Sequence, residues 1–321
     1  MRAMQVIEYG KPLALGESNK PLPQSNEVLI KIAACALNFA DMLLVKGTYQ
    51  EKPPLPFSPG MEVSGTIEAV GAGVKSLHVG QRVLSFSGVG GLSEYIALNE
   101  TVCLPIPDSM SFEQAAAFPI AYGTSHVALE YRAQLQPKER LLVLGASGGV
   151  GLTAVELGKL MGAEVIAVAR GAEKLAVAQA AGADHLIDST TQDIREVVKS
   201  LGGADVVFDP VGGDQFKAAF RATNAEGRII PLGFASGDVP SIPANIILVK
   251  NISVIGLYWG AYAKTNPVVL SDSFTKLLKW YDEGKLHPHV SNVLPLEQAN
   301  EALDLLRSRK ATGKVVVSIS G

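Results

Sequence analysis

The residues Gly145-Ala-Ser-Gly-Gly-Val-Gly151 are the first to suggest chemistry. They stand between the apolar run Leu141 to Leu144 and an apolar helical stretch. From Ala146 to Gly151 they read A-x-G-x-x-G, a variant of the dinucleotide fingerprint. Gly148 lets the backbone approach a pyrophosphate, and Gly151 lets a helix pack closely on the preceding strand. The start of that helix, with Ser147, Gly148, Gly149 and Val150, then holds the phosphates through backbone N–H groups and the helix dipole. A glycine triplet alone serves any tight turn. Here the strand, the helix and a βαβ unit of ~30 residues fall where the motif requires them.

The next strand-like run, Glu164-Val-Ile-Ala-Val-Ala169, ends in Arg170-Gly171. NAD enzymes usually carry an acid at this point, about 20 residues past the glycines, for the ribose 2′-hydroxyl. This chain has none at the tip. Arg170 and Lys174 suit a 2′-phosphate instead, although Glu173 lies beside them. NADPH is therefore the expected cofactor.

These groups need elements to hold them. From Met1 to about Tyr122, short β-rich runs alternate with Pro and Gly. Val28 to Ala34, Glu62 to Val70 and Gln81 to Phe86 are expected strands, and Glu51 to Gly60, with four prolines, an extended loop. From Gly123 onward apolar runs alternate with helical ones. Helices are expected near Gly149 to Met161 and Ala172 to Ala181. Further strands are expected at His185, Asp205, Gly227 and Ile252. That rhythm describes a parallel sheet covered on both faces. Helical periodicity at Val268 to Glu283 and Leu296 to Arg309 precedes a last strand from Lys314 to Ile319.

The chain has 321 residues, 47% of them hydrophobic, which is too long for one core and too apolar for disorder. With 18% charged residues and a formal net charge of -3, it has no electrostatic case for nucleic acid or an acidic membrane surface. Cys35 and Cys103 are too few for a disulfide framework or a four-cysteine zinc site, which points to a reducing compartment. No run reaches the ~18 apolar residues of a membrane span. Met1-Arg-Ala-Met-Gln-Val-Ile runs into a strand-like pattern without a signal-peptide core, so a cytoplasmic protein is expected.

The whole pattern resembles the medium-chain dehydrogenase/reductase superfamily. Within it, the chain is similar to the zinc-free quinone oxidoreductases of the zeta-crystallin type. The marks are Asn38-Phe-Ala-Asp41, Gly47-Thr-Tyr49, Pro59-Gly-Met-Glu-Val-Ser-Gly65, Val79-Gly-Gln-Arg-Val83, Tyr122-Gly-Thr124, Gly145 to Gly151, Phe208-Asp-Pro-Val-Gly-Gly213 and Thr312-Gly-Lys314. The resemblance implies an α/β protein. A GroES-like β-barrel catalytic domain would cover 1–122 and 267–321, and a Rossmann doubly wound parallel-sheet domain 123–266. It places Thr124 and the Gly233-Phe234-Ala235 turn near the nicotinamide, and counts Lys314 with the cofactor-binding residues. Asn38 and Asp41 fall at the substrate cleft, with Tyr49 close by. Zinc enzymes of the superfamily carry Cys where Asn38 stands and His where Met61 stands, so no metal is expected. The five histidines form no H-x-x-x-H pattern, and His287-Pro-His289 reads as an exposed loop.

Two departures from the family pattern stand out. Leu43 replaces a Tyr that many quinone reductases have, and Ile187-Asp188-Ser189 lacks the Tyr that often contacts the cofactor. The resemblance implies hydride transfer from NADPH to a quinone. The alternative acceptor is an enone or enoyl thioester, with Tyr49 as proton donor or simply a loop aromatic over the cleft. A non-catalytic NADPH-binding protein is a second alternative. The family also implies a homodimer through the Rossmann sheet edge, where Ile252 to Tyr258 is apolar.

Overall fold

The structure, a computed structural model, describes residues 1–319. The chain divides into two compact units, Met1–Ile120 with Pro288 onward, and Ala121–His287.

The first unit is built on a seven-stranded sheet. At its centre the long strand Glu27–Leu37 pairs antiparallel with Glu62–Val70, Tyr95–Asn99 and Lys314–Ser318. Glu27–Leu37 shifts register against Glu62–Val70 in two places, which bends it enough to serve several neighbours. Gly65 allows the first close approach, since a Cβ there would lie 2.1 Å from the Lys31 carbonyl oxygen. Val28, Ile30, Ile32, Val63, Val83, Val315 and Val317 form the core of this unit. The helix Phe39–Lys46 follows the central strand directly and ends at Gly47 in the left-handed region, with φ 73°.

The second unit carries the six-stranded parallel sheet. Its order is His185–Asp188, Glu164–Ala169, Arg140–Leu144, Ala204–Asp209, Thr223–Pro231 and Ser253–Val254. Leu141 to Leu144 and Val165 to Val168 are wholly buried, as expected of strands covered on both faces. The helices Gly149–Leu160 and Ala172–Ala180 fall within a residue of their expected ends.

Two expectations about extent need correction. The helix Pro267–Asp282 belongs to the second unit, so the return to the first begins at Pro288 and not at 267. Its inner face explains why. Ser273 Oγ lies 2.9 Å from His126 Nδ1, and Phe274 packs edge-on to Trp259. The final strand of the parallel sheet is also shorter than the apolar run Ile252 to Tyr258 suggested. Only Ser253–Val254 pairs, and the chain then turns toward Trp259.

Candidate functional site

The glycine loop takes the geometry its spacing predicts. Gly145 leaves the strand Arg140–Leu144 with φ 59°, a conformation that favours glycine. A Cβ on Gly151 would lie 2.2 Å from the Gly145 carbonyl oxygen, so the helix approaches the loop backbone as closely as glycine permits. A Cβ on Gly148 would meet only that same oxygen, at 3.4 Å. No side chain caps the helix Gly149–Leu160 at Gly148. The N–H groups of its first turn have no partner within the helix, which is the arrangement that receives phosphates. Ser147 is buried beside them. These residues fit a dinucleotide.

The neighbouring turns close around this end of the sheet. Asp209 accepts hydrogen bonds from the Val211 and Gly212 N–H groups with one carboxylate oxygen, at 2.7 and 2.9 Å. The turn after Asp209 is tied to the turn after Pro231, since Ala235 N–H donates to Pro210 and Ser236 N–H to Val211. Gly233 and the exposed Phe234 therefore sit one strand beyond the glycine loop's direct neighbour. Burial raises the Asp209 carboxyl above its usual range, against the two N–H bonds it accepts. Asp209 was not singled out in the sequence, although the motif Asp209-Pro-Val-Gly-Gly213 contains it.

At the tip of Glu164–Ala169, Arg170 is exposed and Lys174 partly buried on the following helix. Asp188 closes this corner. One of its oxygens accepts from Gly171 N–H and from both the N–H and hydroxyl of Thr190, which holds the carboxyl below its usual range, Thr190 contributing most. Thr124 is buried on the helix Pro119–His126.

In the first unit, Asn38, Asp41, Glu62 and Lys314 form one buried polar network. Strand register explains the meeting: Leu37 pairs with Val315, and Ala36 with Glu62. The Lys314 ammonium donates to Asn38 Oδ1 and to Glu62 Oε1, each at 2.6 Å. Asn38 Nδ2 donates to the same Glu62 oxygen at 2.9 Å. The other Glu62 oxygen accepts from Ile120 N–H at 2.7 Å. Glu62 is fully buried and Lys314 nearly so. Both ends of the Asn38 amide are thus held, and one of its two N–H bonds has no protein partner among the described residues.

Asp41 has a different task. Its carboxylate accepts from Asn38 N–H at 2.8 Å and from Gly60 N–H at 3.0 Å, which closes the start of its helix and anchors the loop before Met61. Burial pushes its pKa up to about 6 despite these bonds. Tyr49 lies half-buried against the core of the same unit. Lys314 was counted with the cofactor-binding residues, and in the structure its ammonium is held by Glu62 and Asn38. Glu62 went unassigned in the sequence, because nothing local tells a buried carboxylate from a surface one.

Among the described residues no three or more His, Cys, Asp or Glu side chains gather to hold a metal. The carboxylate beside Asn38 already carries an ammonium. Among the described residues, no helix is long and apolar enough to cross a membrane.

Comparison with known proteins agrees with this architecture. Residues 24–108 match the alcohol dehydrogenase GroES-like domain and residues 149–282 the zinc-binding dehydrogenase family. These define a medium-chain dehydrogenase/reductase. The quinone oxidoreductase-like protein 2 homolog of Nematostella vectensis is 45% identical, over 99% of this chain and 88% of its own length. Quinone oxidoreductase-like protein 2 of Bos taurus is 40% identical, over 99% and 92%. The quinone oxidoreductase of Thermus thermophilus, solved also in complex with NADPH, superposes with a TM-score of 0.89 at 32% identity, covering 99% of this chain and 100% of that one. The chain belongs to the quinone oxidoreductase family and is an oxidoreductase.

The raised Asp41 carboxyl predicts a pH effect. An acid whose folded pKa lies above its unfolded value of about 4 favours the fold most when protonated. Its contribution therefore falls as pH rises from about 4 to about 6 and stays lost above that. Relative to Asp41→Asn, the wild type is expected to lose roughly 2–3 kcal/mol of unfolding free energy between pH 4 and pH 7. Denaturant titration of both proteins at the two pH values checks this, and parallel curves would contradict it.

Proposed function

We propose that the protein is a zinc-free, NADPH-dependent reductase whose acceptor is a quinone. The observation that carries the reading is the uncapped helix start after the glycine loop, with Arg170 and Lys174 following the next strand. The relatives named quinone oxidoreductase-like proteins, and the Thermus quinone oxidoreductase complexed with NADPH, support the cofactor and the acceptor.

The nicotinamide cofactor supplies the hydride. Ser147, Gly148, Gly149 and Val150 bind its pyrophosphate through backbone N–H groups, and Arg170 and Lys174 pair with its 2′-phosphate. Thr124, Gly233 and Phe234 hold its nicotinamide end. The free N–H of Asn38 donates to the acceptor oxygen. Lys314, bound to Asn38 Oδ1, polarises the amide and strengthens that donor, while Glu62 keeps the amide from rotating. Lys314 thereby serves the acceptor through Asn38. Asp41 positions Asn38 from the backbone side.

A quinone needs little more, since its reduced oxygens take protons from water. The Asn38 donor also favours a second acceptor class, an enone or enoyl thioester, whose oxygen must be polarised and whose carbon must receive a proton. Tyr49 is the donor in that reading. A protein that binds NADPH without turnover is the remaining alternative.

The two buried cysteines, left as free thiols, support a cytoplasmic setting. We also propose a homodimer through the short edge strand Ser253–Val254. Beside it Leu248 and Val249 are each 79% exposed on the helix Ala244–Lys250, whose other face packs on the core through Ile246 and Ile247.

NADPH oxidation measured against quinones and enones tests the assignment. Turnover of quinones is expected, with NADPH preferred over NADH. Tight NADPH binding without turnover of any acceptor would make the protein a binder. Tyr49→Phe is expected to slow enone reduction roughly 100-fold and to leave quinone turnover unchanged. Equal enone rates in the two proteins would remove Tyr49 from the mechanism.

Lys314→Met alone strands a buried carboxylate at a cost of about 3–5 kcal/mol. The paired change Lys314→Met with Glu62→Gln avoids this. It is expected to fold, to keep its NADPH affinity and its acceptor KM, and to lower enone kcat about tenfold or more. An unchanged kcat would reduce the network to structural support.

Sedimentation at micromolar concentration is expected to give the dimer mass, and Leu248→Glu a monomer. A wild-type monomer would overturn the pairing.

A further inference from the structure

The second unit carries a basic pocket at the end of its sheet opposite the glycine loop. The strands are parallel, and the glycine loop follows the C-terminal end of Arg140–Leu144. The pocket lies instead where Ala204–Asp209 and Thr223–Pro231 begin. Its volume is about 380 Å³, and its lining includes Lys199, Gly202, Gly203, Arg221, Asn224 and Lys250.

The charge is one-sided. Lys250 Nζ donates to the carbonyls of Arg221 and Thr223, at 3.1 and 2.7 Å, and meets no carboxylate among the described residues. The Lys199 and Arg221 side chains make no hydrogen bond or ion pair among the described residues. Asp205, at the start of the strand Ala204–Asp209, is already occupied by Arg140 N–H on one oxygen and by Asn224 Nδ2 on the other. Glu226, next in sequence to the pocket, is exposed and makes no ion pair among the described residues. Burial pushes the Lys250 pKa down, and Lys199 and Arg195 push it further.

A basic residue in the last turn of a helix ordinarily complements the helix dipole. Lys199, Arg221 and Lys250 close the helices Ile194–Ser200, Gly213–Ala222 and Ala244–Lys250. Yet three such ends supply roughly half a charge each, about half of what the three cations bring. The backbone also closes two of these helices by itself. Gly202 and Gly203 N–H groups donate to Lys199 and Val198, and Asn251 and Ile252 N–H groups to Ile247. The surplus positive charge has no acidic counterpart in the pocket's lining among the described residues.

We propose that this pocket is a second anion site that binds a small phosphate-bearing ligand of at least two negative charges, separate from the cofactor site. Lys199 and Arg221 supply the free donors, and the half-buried Lys250 a third charge beside them.

Isothermal titration with inorganic pyrophosphate tests this, at a fixed ionic strength of about 150 mM, with and without saturating NADPH. Saturable binding of one equivalent with a sub-millimolar Kd is expected in the presence of NADPH. Lys199→Gln with Arg221→Gln removes two side chains that make no hydrogen bond or ion pair among the described residues, so the fold is retained. In that variant the pyrophosphate Kd is expected to rise at least tenfold, with NADPH affinity and quinone turnover unchanged. Three results would overturn the site: no saturable heat, equal affinity in the variant, or binding that NADPH abolishes, which would place the pyrophosphate in the glycine loop. Failure to bind NADPH at all would count against the cofactor reading alone, since the titration without NADPH still reads the pocket.

Discussion

A buried ammonium is costly to hold in the first unit, and its neighbours are arranged around that cost. Lys314 has almost no contact with solvent, so it requires an anion, and Glu62 is the anion it has. Glu62 in turn needs its second oxygen filled, which Ile120 N–H provides. The pair ties the last strand to the strand Glu62–Val70 across the end of Glu27–Leu37, where the chain enters the helix Phe39–Lys46. Asn38 stands at that junction and is gripped at the backbone by Asp41 and at the side chain by the charged pair. A side chain held this way keeps one donor in a fixed direction without spending rotamer entropy when a ligand arrives.

The second unit works by another rule. Its binding groups are mostly backbone, exposed by glycines that let a helix start flush against a strand. Such a site needs no charged side chain at its centre, because the helix dipole and free N–H groups already favour phosphate. Side chains act at the edges, where Asp188 and Asp209 pin the turns by accepting their N–H groups. The helix ends at the opposite edge of the sheet present carbonyls, and basic residues gather there. The same parallel sheet therefore offers two electrostatically distinct ends.

What the chain states locally was readable as sequence. The glycine spacing located the tight turn from strand to helix at Gly145 to Gly151, and continuous apolar runs marked the covered strands of the parallel sheet. Both depend on contacts within a few residues or on burial of both strand faces, so they leave a periodic trace. The alternation of strand and helix was enough to place Gly149–Leu160 and Ala172–Ala180 within a residue. Tertiary structure decided three things. It assigned Pro267–Asp282 to the second unit, since the pairing of Ser273 with His126 joins residues far apart in sequence. It cut the edge strand to two residues, because apolar character alone does not say which residues find a partner. Finally, it joined Asn38, Glu62 and Lys314 across 276 positions of sequence between the first and the last, through strand register alone. Register is a property of pairing between distant segments, and composition carries no record of it.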